Sequence, residues 1–189
     1  MKQESVTRYV LRITLTLLLI AAVVAAAMAL VNQVTKPIIA RNAEEKVQRA
    51  ISQVLPGGYD SQVTEFEDPS GIVSRVFKGQ NGYAVEVQPV GFDSALTMMV
   101  GVAPDGSVLQ ICVVSHTETK GLGEVAASAS SAGVSFRQQF VGVSEDVRVV
   151  KDGGAVDTIT GATVTSRAVC NGVNAALSCV KALIQGGAA

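Results

Sequence analysis

The sequence predicts an α+β fold, a mostly antiparallel sheet with packed helices, preceded by one N-terminal transmembrane helix. Three observations lead there. Residues 13–31 (ITLTLLLIAAVVAAAMALV) form a run without a charge; four short apolar or alternating segments follow, separated by turn residues; and the C-terminal region carries an apolar stripe at helical spacing.

The charge-free run is 19 residues long, and at the helical rise it reaches about 28 Å, the thickness of a bilayer's hydrocarbon core. A cleaved signal peptide competes with this reading, because Lys2, Arg8 and Arg12 form a basic flank and Ala27-Met28-Ala29 offers small residues at cleavage-like spacing. The run exceeds an ordinary signal-peptide core, which favours a retained anchor. Lys36, Arg41, Lys46 and Arg49 follow it, so charge counting leaves the orientation open. Pro37 is expected to interrupt the helix. Ala43, Val47, Ala50, Ile51 and Val54 then recur at helical spacing, which reads as a separate amphipathic stalk helix. Asn42 is its expected N-cap, Glu45 completes a capping box, and Pro56-Gly57-Gly58 ends it. The expected organisation is an anchor over 1–35, a stalk helix and linker over 36–58, and one soluble domain over 59–189.

Segments 71–79, 82–91, 96–103 and 108–116 read as strands, the last two as a hairpin around Pro104-Asp105-Gly106. Their alternation and short connections favour antiparallel pairing over a doubly wound parallel sheet. The small-residue segment 124–136, with 136–142 and 147–159 after it, reads as a loosely helical or irregular stretch and one or two further strands. A helix over 166–184 closes the chain. Val169, Val173, Leu177, Val180 and Ile184 form its stripe, and Gly186-Gly187 ends it.

Composition removes several classes of function. After residue 35 there are 12 basic and 15 acidic side chains, a net charge of −3, with no basic run; no nucleic-acid partner is expected. The chain has one histidine, His116, so multi-histidine metal and hydrolytic sites are excluded, and a structural hydrogen-bonding role is expected for it. Cys112 sits in an apolar run, while Cys170 and Cys179, nine residues apart on one helix, face opposite sides and cannot pair within it. All three read as packing residues. Gly121-Leu122-Gly123-Glu124-Val125-Ala126 fits the dinucleotide pattern, with Glu145 and Asp146 downstream. That fingerprint must join a parallel strand directly to a helix, and here it follows a hairpin strand with Thr117–Lys120 between. No Cys or Ser nucleophile shows a partnered base.

The segment Asp157-Thr158-Ile159-Thr160-Gly161-Ala162-Thr163-Val164-Thr165-Ser166 crowds hydroxyls around a Gly-Ala pair just before a long helix. Gly161 permits conformations closed to other residues, Ala162 leaves room for a bulky group, and the amides of a helix start favour an anion, so the segment suits a phosphate. Equally, Thr163, Thr165 or Ser166 could simply cap the helix.

Here the sequence resembles the FMN-binding domain family of respiratory flavoproteins, which includes the G subunit of the Rnf complex and the C subunit of the sodium-pumping NADH:quinone oxidoreductase. The family motif Asp-x-x-Ser/Thr-Gly-Ala-Thr is matched by Asp157, Thr160, Gly161, Ala162 and Thr163. A second motif, His-x-Glu-Thr-x-Gly-Leu-Gly, is matched by His116, Glu118, Thr119, Gly121, Leu122 and Gly123. Lys120 stands where the family often has proline, and the small size favours the Rnf subunit. The resemblance implies one covalent FMN per chain, its phosphate esterified to Thr163 by an ApbE-type flavin transferase, with the glycine loop against the isoalloxazine ring. It further implies an extracytoplasmic domain, membrane lipid around the anchor, and the other membrane subunits of an Rnf-type complex as partners. That complex would move electrons between ferredoxin and NAD, coupled to Na+ or H+ translocation, with this subunit a relay rather than a stand-alone enzyme. A flavin reductase is disfavoured, since the chain is too short to hold a catalytic domain besides the FMN domain. A non-redox binding or sensing module is the alternative.

Overall fold

The computed structural model describes residues 3–66 and 68–186; Lys2 and Gly187, a flank charge and a helix stop in the sequence reading, lie outside them. Two compact units are present, Met1–Glu45 and Lys46–Ala189. The first belongs to helix α1 (Gln3–Val54), whose large apolar side chains from Val6 to Ile39 stand exposed. This helix is long and apolar enough to cross a membrane.

The expected break at Pro37 does not occur, because α1 runs through it. Asn42 therefore lies inside the helix and caps nothing, and Glu45 accepts a bond from Arg41 at 3.1 Å instead of closing a capping box. An internal proline costs about 3 kcal/mol, but the penalty is local. The turns on either side keep their own bonds, and a helix already formed needs no second nucleus.

The second unit is built on five strands, β1 (Ser61–Val63), β2 (Val73–Gly79), β3 (Gly82–Val87), β4 (Thr97–Val102) and β5 (Val108–Ser115). They lie in sequence order and every neighbouring pair is antiparallel. The α+β expectation and the 104–106 hairpin are met; β1, with only three residues, carries too little alternation to be read in advance. A meander without a βαβ unit also removes the dinucleotide reading of the glycine loop.

Each strand feeds two layers, as its two-residue period requires. Adjacent Met98 and Met99 show the split. Met99, Phe77 and Ala84 bury against Val47, Ala50, Ile51, Val54 and Leu55 at the end of α1. Gly101 permits that approach, since a Cβ there would stand 2.0 Å from the Val54 carbonyl oxygen. Met98, Val76, Val85 and Val100 face the other way, toward α2 (Ser131–Gln138) and α3 (Thr163–Gln185).

Helix α3 starts at Thr163, three residues before the expected start. Its stripe includes Val169, Val173, Leu177 and Val180, but Ile184 is 44% exposed and Leu183 is buried instead. Ile184 lies 15 residues and about 60° from Val169, in the last turn of a helix that ends at Gln185. Segment 147–159 forms no ladder strand. It makes one isolated bridge, Val149 to Val156, around a single 3-10 turn at Val150–Asp152. Asp152-Gly153-Gly154 interrupts it, with Gly153 in the left-handed region at φ 81°. The three cysteines are free thiols with Cys170 and Cys179 buried. Burial pushes both thiols up to about 11, in keeping with a packing role.

Candidate functional site

Two segments distant in sequence meet at the start of α3. One leaves β5 and carries Glu118, Thr119, Leu122 and Gly123; the other brings Lys151 and the residues Gly161–Thr165. Together with Phe92 they line a cleft of about 260 Å³. Of the ten site residues named from the sequence, Glu118, Thr119, Leu122, Gly123, Gly161, Ala162 and Thr163 line this cleft. Gly121, Asp157 and Thr160 line a separate groove with Phe136 and Gln139. Asp157 is held there by its backbone. Its N–H donates to Gln139 Oε1 at 2.7 Å and its carbonyl accepts from Nε2 at 3.3 Å.

Glu118 ties the cleft together. It is buried, and Oε1 accepts from the Phe92 N–H at 2.9 Å while Oε2 accepts from the Thr165 hydroxyl at 2.6 Å. A buried carboxylate is tolerable only when its oxygens are satisfied in this way. A Cβ at Gly91 would fall 2.1 Å from Oε1 and one at Gly123 2.4 Å from Oε2, so these glycines make room for the carboxylate. Gly121 differs: its φ is +74° and nothing lies within 4 Å of a Cβ there, so the turn itself requires it.

At the start of α3 the cap residue is Ala162, and no side chain caps the helix. The hydroxyls that could have done so are engaged elsewhere. Thr163 Oγ1 accepts from Lys151 Nζ at 3.0 Å, Thr165 donates to Glu118, and Ser166 Oγ donates to the Ala162 carbonyl at 2.9 Å while accepting the Ile159 N–H at 3.1 Å. The capping alternative is therefore not realised. First-turn amides have no intrahelical acceptor and lie at the positive end of the helix dipole, and Thr163, Val164 and Thr165, which carry them, line the cleft.

Lys151 is set by the 3-10 turn, which is pinned to α3. Asp152 accepts two bonds from Arg167, both 2.6 Å, and the Arg167 guanidinium holds its carboxyl below the usual range. Phe92, also in the lining, is 69% exposed. Sequence reasoning did not find Phe92, Lys151 or the Glu118–Thr165 bond. The hydroxyl richness of 163–166 was the available signal for Thr165; Phe92 and Lys151 sit in irregular segments with no period to mark them. His116 does not fill its expected role at Nδ1, which is buried without a hydrogen-bond partner.

A lining that combines a hydroxyl, a helix start and one cation with leucine, valine and phenylalanine suits a ligand that has both a phosphate and a flat apolar head. FMN has that form. The fold and site thus define an FMN-binding protein with an apolar N-terminal helix, and residues 91–178 match the family described as FMN-binding domain.

Residues 1–54 match the RnfG N-terminal region. The chain is 35% identical over 188 residues to the G subunit of the ion-translocating oxidoreductase complex of Pseudomonas aeruginosa, covering 90% of this chain and 88% of that protein. It is 31% identical over 193 residues to the G subunit of the proton-translocating ferredoxin:NAD(+) oxidoreductase complex of Clostridium ljungdahlii, covering 97% and 96%. With the Na(+)-translocating counterpart of Acetobacterium woodii it shares 31% over 191 residues, covering 88% and 89%. The chain belongs to the family of Rnf complex G subunits.

Proposed function

We propose that this chain carries one FMN, joined through its phosphate to the Thr163 hydroxyl, and relays electrons through it in an Rnf-type complex. The complex would connect ferredoxin and NAD and couple transfer to Na+ or H+ translocation, as its two ferredoxin:NAD relatives are named for doing. The observation that carries this reading is the Thr163 hydroxyl in the cleft lining, on a helix start without a side-chain cap and beside a lysine. An ApbE-type flavin transferase would form the ester. Other membrane subunits of the complex and membrane lipid would be its partners, with residues 1–35 the anchor, 36–58 the stalk and linker, and 59–189 the extracytoplasmic flavin-bearing part.

Bound FMN supplies one- and two-electron redox chemistry. The chain's own residues retain and orient it. Ala162 and Gly161 leave space beside Thr163, the α3 amides face the phosphate, and Leu122 and Val164 offer apolar walls to the ring end. An ester through the phosphate leaves the ring unmodified, so its potential is set by the polarity of those walls.

The test is chemical. Chain produced with a flavin transferase, denatured and run on a gel, is expected to keep flavin fluorescence. Its tryptic peptide bearing Thr163 is expected to gain the mass of FMN less one water. A fluorescent protein with an unmodified Thr163 peptide would move the attachment elsewhere, and a colourless one would favour a non-redox module.

A further inference from the structure

We propose that Lys151 is the cation of the phosphate subsite, holding the Thr163 hydroxyl before modification and the phosphodiester after it; this rests on the Thr163 reading above. Among the described residues lining the cleft, Lys151 is the one cation and Glu118 the one anion. Both oxygens of Glu118 are taken by Phe92 and Thr165, which leaves Lys151 to meet a ligand's charge. Its Nζ already lies 3.0 Å from the atom to be esterified, and the Asp152–Arg167 pair fixes its turn to the same helix that presents Thr163.

In the transfer, the Thr163 Oγ1–H bond breaks and an Oγ1–P bond forms. The donor is a flavin dinucleotide; its phosphoanhydride P–O bond breaks, a nucleoside monophosphate leaves with the bridging oxygen, and the hydroxyl proton passes to solvent or to a base of the transferase. No electrons are exchanged. A cation donating to Oγ1 favours loss of that proton and stabilises the negative charge gathering on phosphorus-bound oxygens. Once esterified, Oγ1 is a weak acceptor, and the phosphodiester's non-bridging oxygens, two bonds further out, take over the ammonium's hydrogen bonds. Lys151 is a positioning residue in the first state and a ligand of the bound group in the second.

The test uses the full-length chain in detergent, purified without flavin and incubated with a flavin transferase and flavin dinucleotide. The initial rate of the FMN increment at Thr163 is followed by mass spectrometry. Lys151→Gln is expected to lower this rate about tenfold or more, as loss of a charge-assisted hydrogen bond implies, whereas Lys151→Arg stays near wild type. In chains loaded to completion, the 31P resonance of the ester should shift in the Gln variant and hold its place in the Arg variant, which separates contact with the phosphate from contact with the transferase. A wild-type rate in Lys151→Gln, an equal loss in both variants, or an unmoved 31P resonance in the Gln variant each overturns the inference. An unmodified wild-type chain would instead sink the Thr163 reading itself.

Discussion

Helices α2 and α3 both begin beside serines or threonines, yet the two starts are built in opposite ways. At α2 the cap is Ser130, whose side chain accepts the Gly133 N–H at 3.2 Å. At α3 the cap is Ala162, and Thr163, Thr165 and Ser166 all turn their hydroxyls to other partners. A hydroxyl near a helix start is thus a cap in one place and turned to other partners in the other. What decides is whether the hydroxyl stands at the cap position or one step inside it.

The sharpest way to break this comparison is Thr163→Val, which keeps the β-branched shape and removes only the hydroxyl. Complete loss of attached flavin is expected on denaturing gels, with little change in melting. A stability loss of about 1 kcal/mol with flavin retained would make Thr163 a cap like Ser130. Gly123→Val comes next. Its Cβ must displace Glu118 or Thr165, at 2.4 and 2.6 Å, so we expect a loss of about 1–3 kcal/mol from overpacking. Flavin loading should fall several-fold while the membrane helix still inserts; unchanged loading would detach this loop from the site.

Ser130→Ala is the reciprocal control. It should cost about 1 kcal/mol, seen as a lower chemical-denaturation midpoint, and leave loading untouched. The smallest effect concerns Asp152, whose carboxyl the Arg167 hydrogen bond holds below its ordinary value of 3.8. A lowered folded value means that its contribution is present above 3.8 and lost as pH falls through the folded value. Melting curves of wild type and Asp152→Asn should therefore differ by a constant amount at neutral pH and converge only in strong acid. Convergence near neutrality would contradict the assignment of this pair as the brace of the Lys151 turn.

Local and periodic features were legible from the sequence. The charge-free run, the four alternating strands, the hairpin at Pro104-Asp105-Gly106 and most of the α3 stripe each depend on residues a few positions apart, where period and turn chemistry speak directly. The prominence of Thr163 was also visible, since its Gly-Ala neighbours and the following helix are contiguous with it.

Tertiary structure decided what joins distant segments. Thr165 meets Glu118 across 47 residues, Phe92 meets it across 26, and Lys151 meets Thr163 across 12; no pattern in a linear chain encodes these contacts. The passage of α1 through Pro37 was equally undecidable locally, because proline's penalty is fixed while the cooperativity that absorbs it belongs to the whole helix. The sequence alone thus determined the elements and the candidate hydroxyl. Whether that hydroxyl capped a helix or faced a cleft depended on where α3 begins, with Ala162 at the cap, and on the distant Lys151 that meets it.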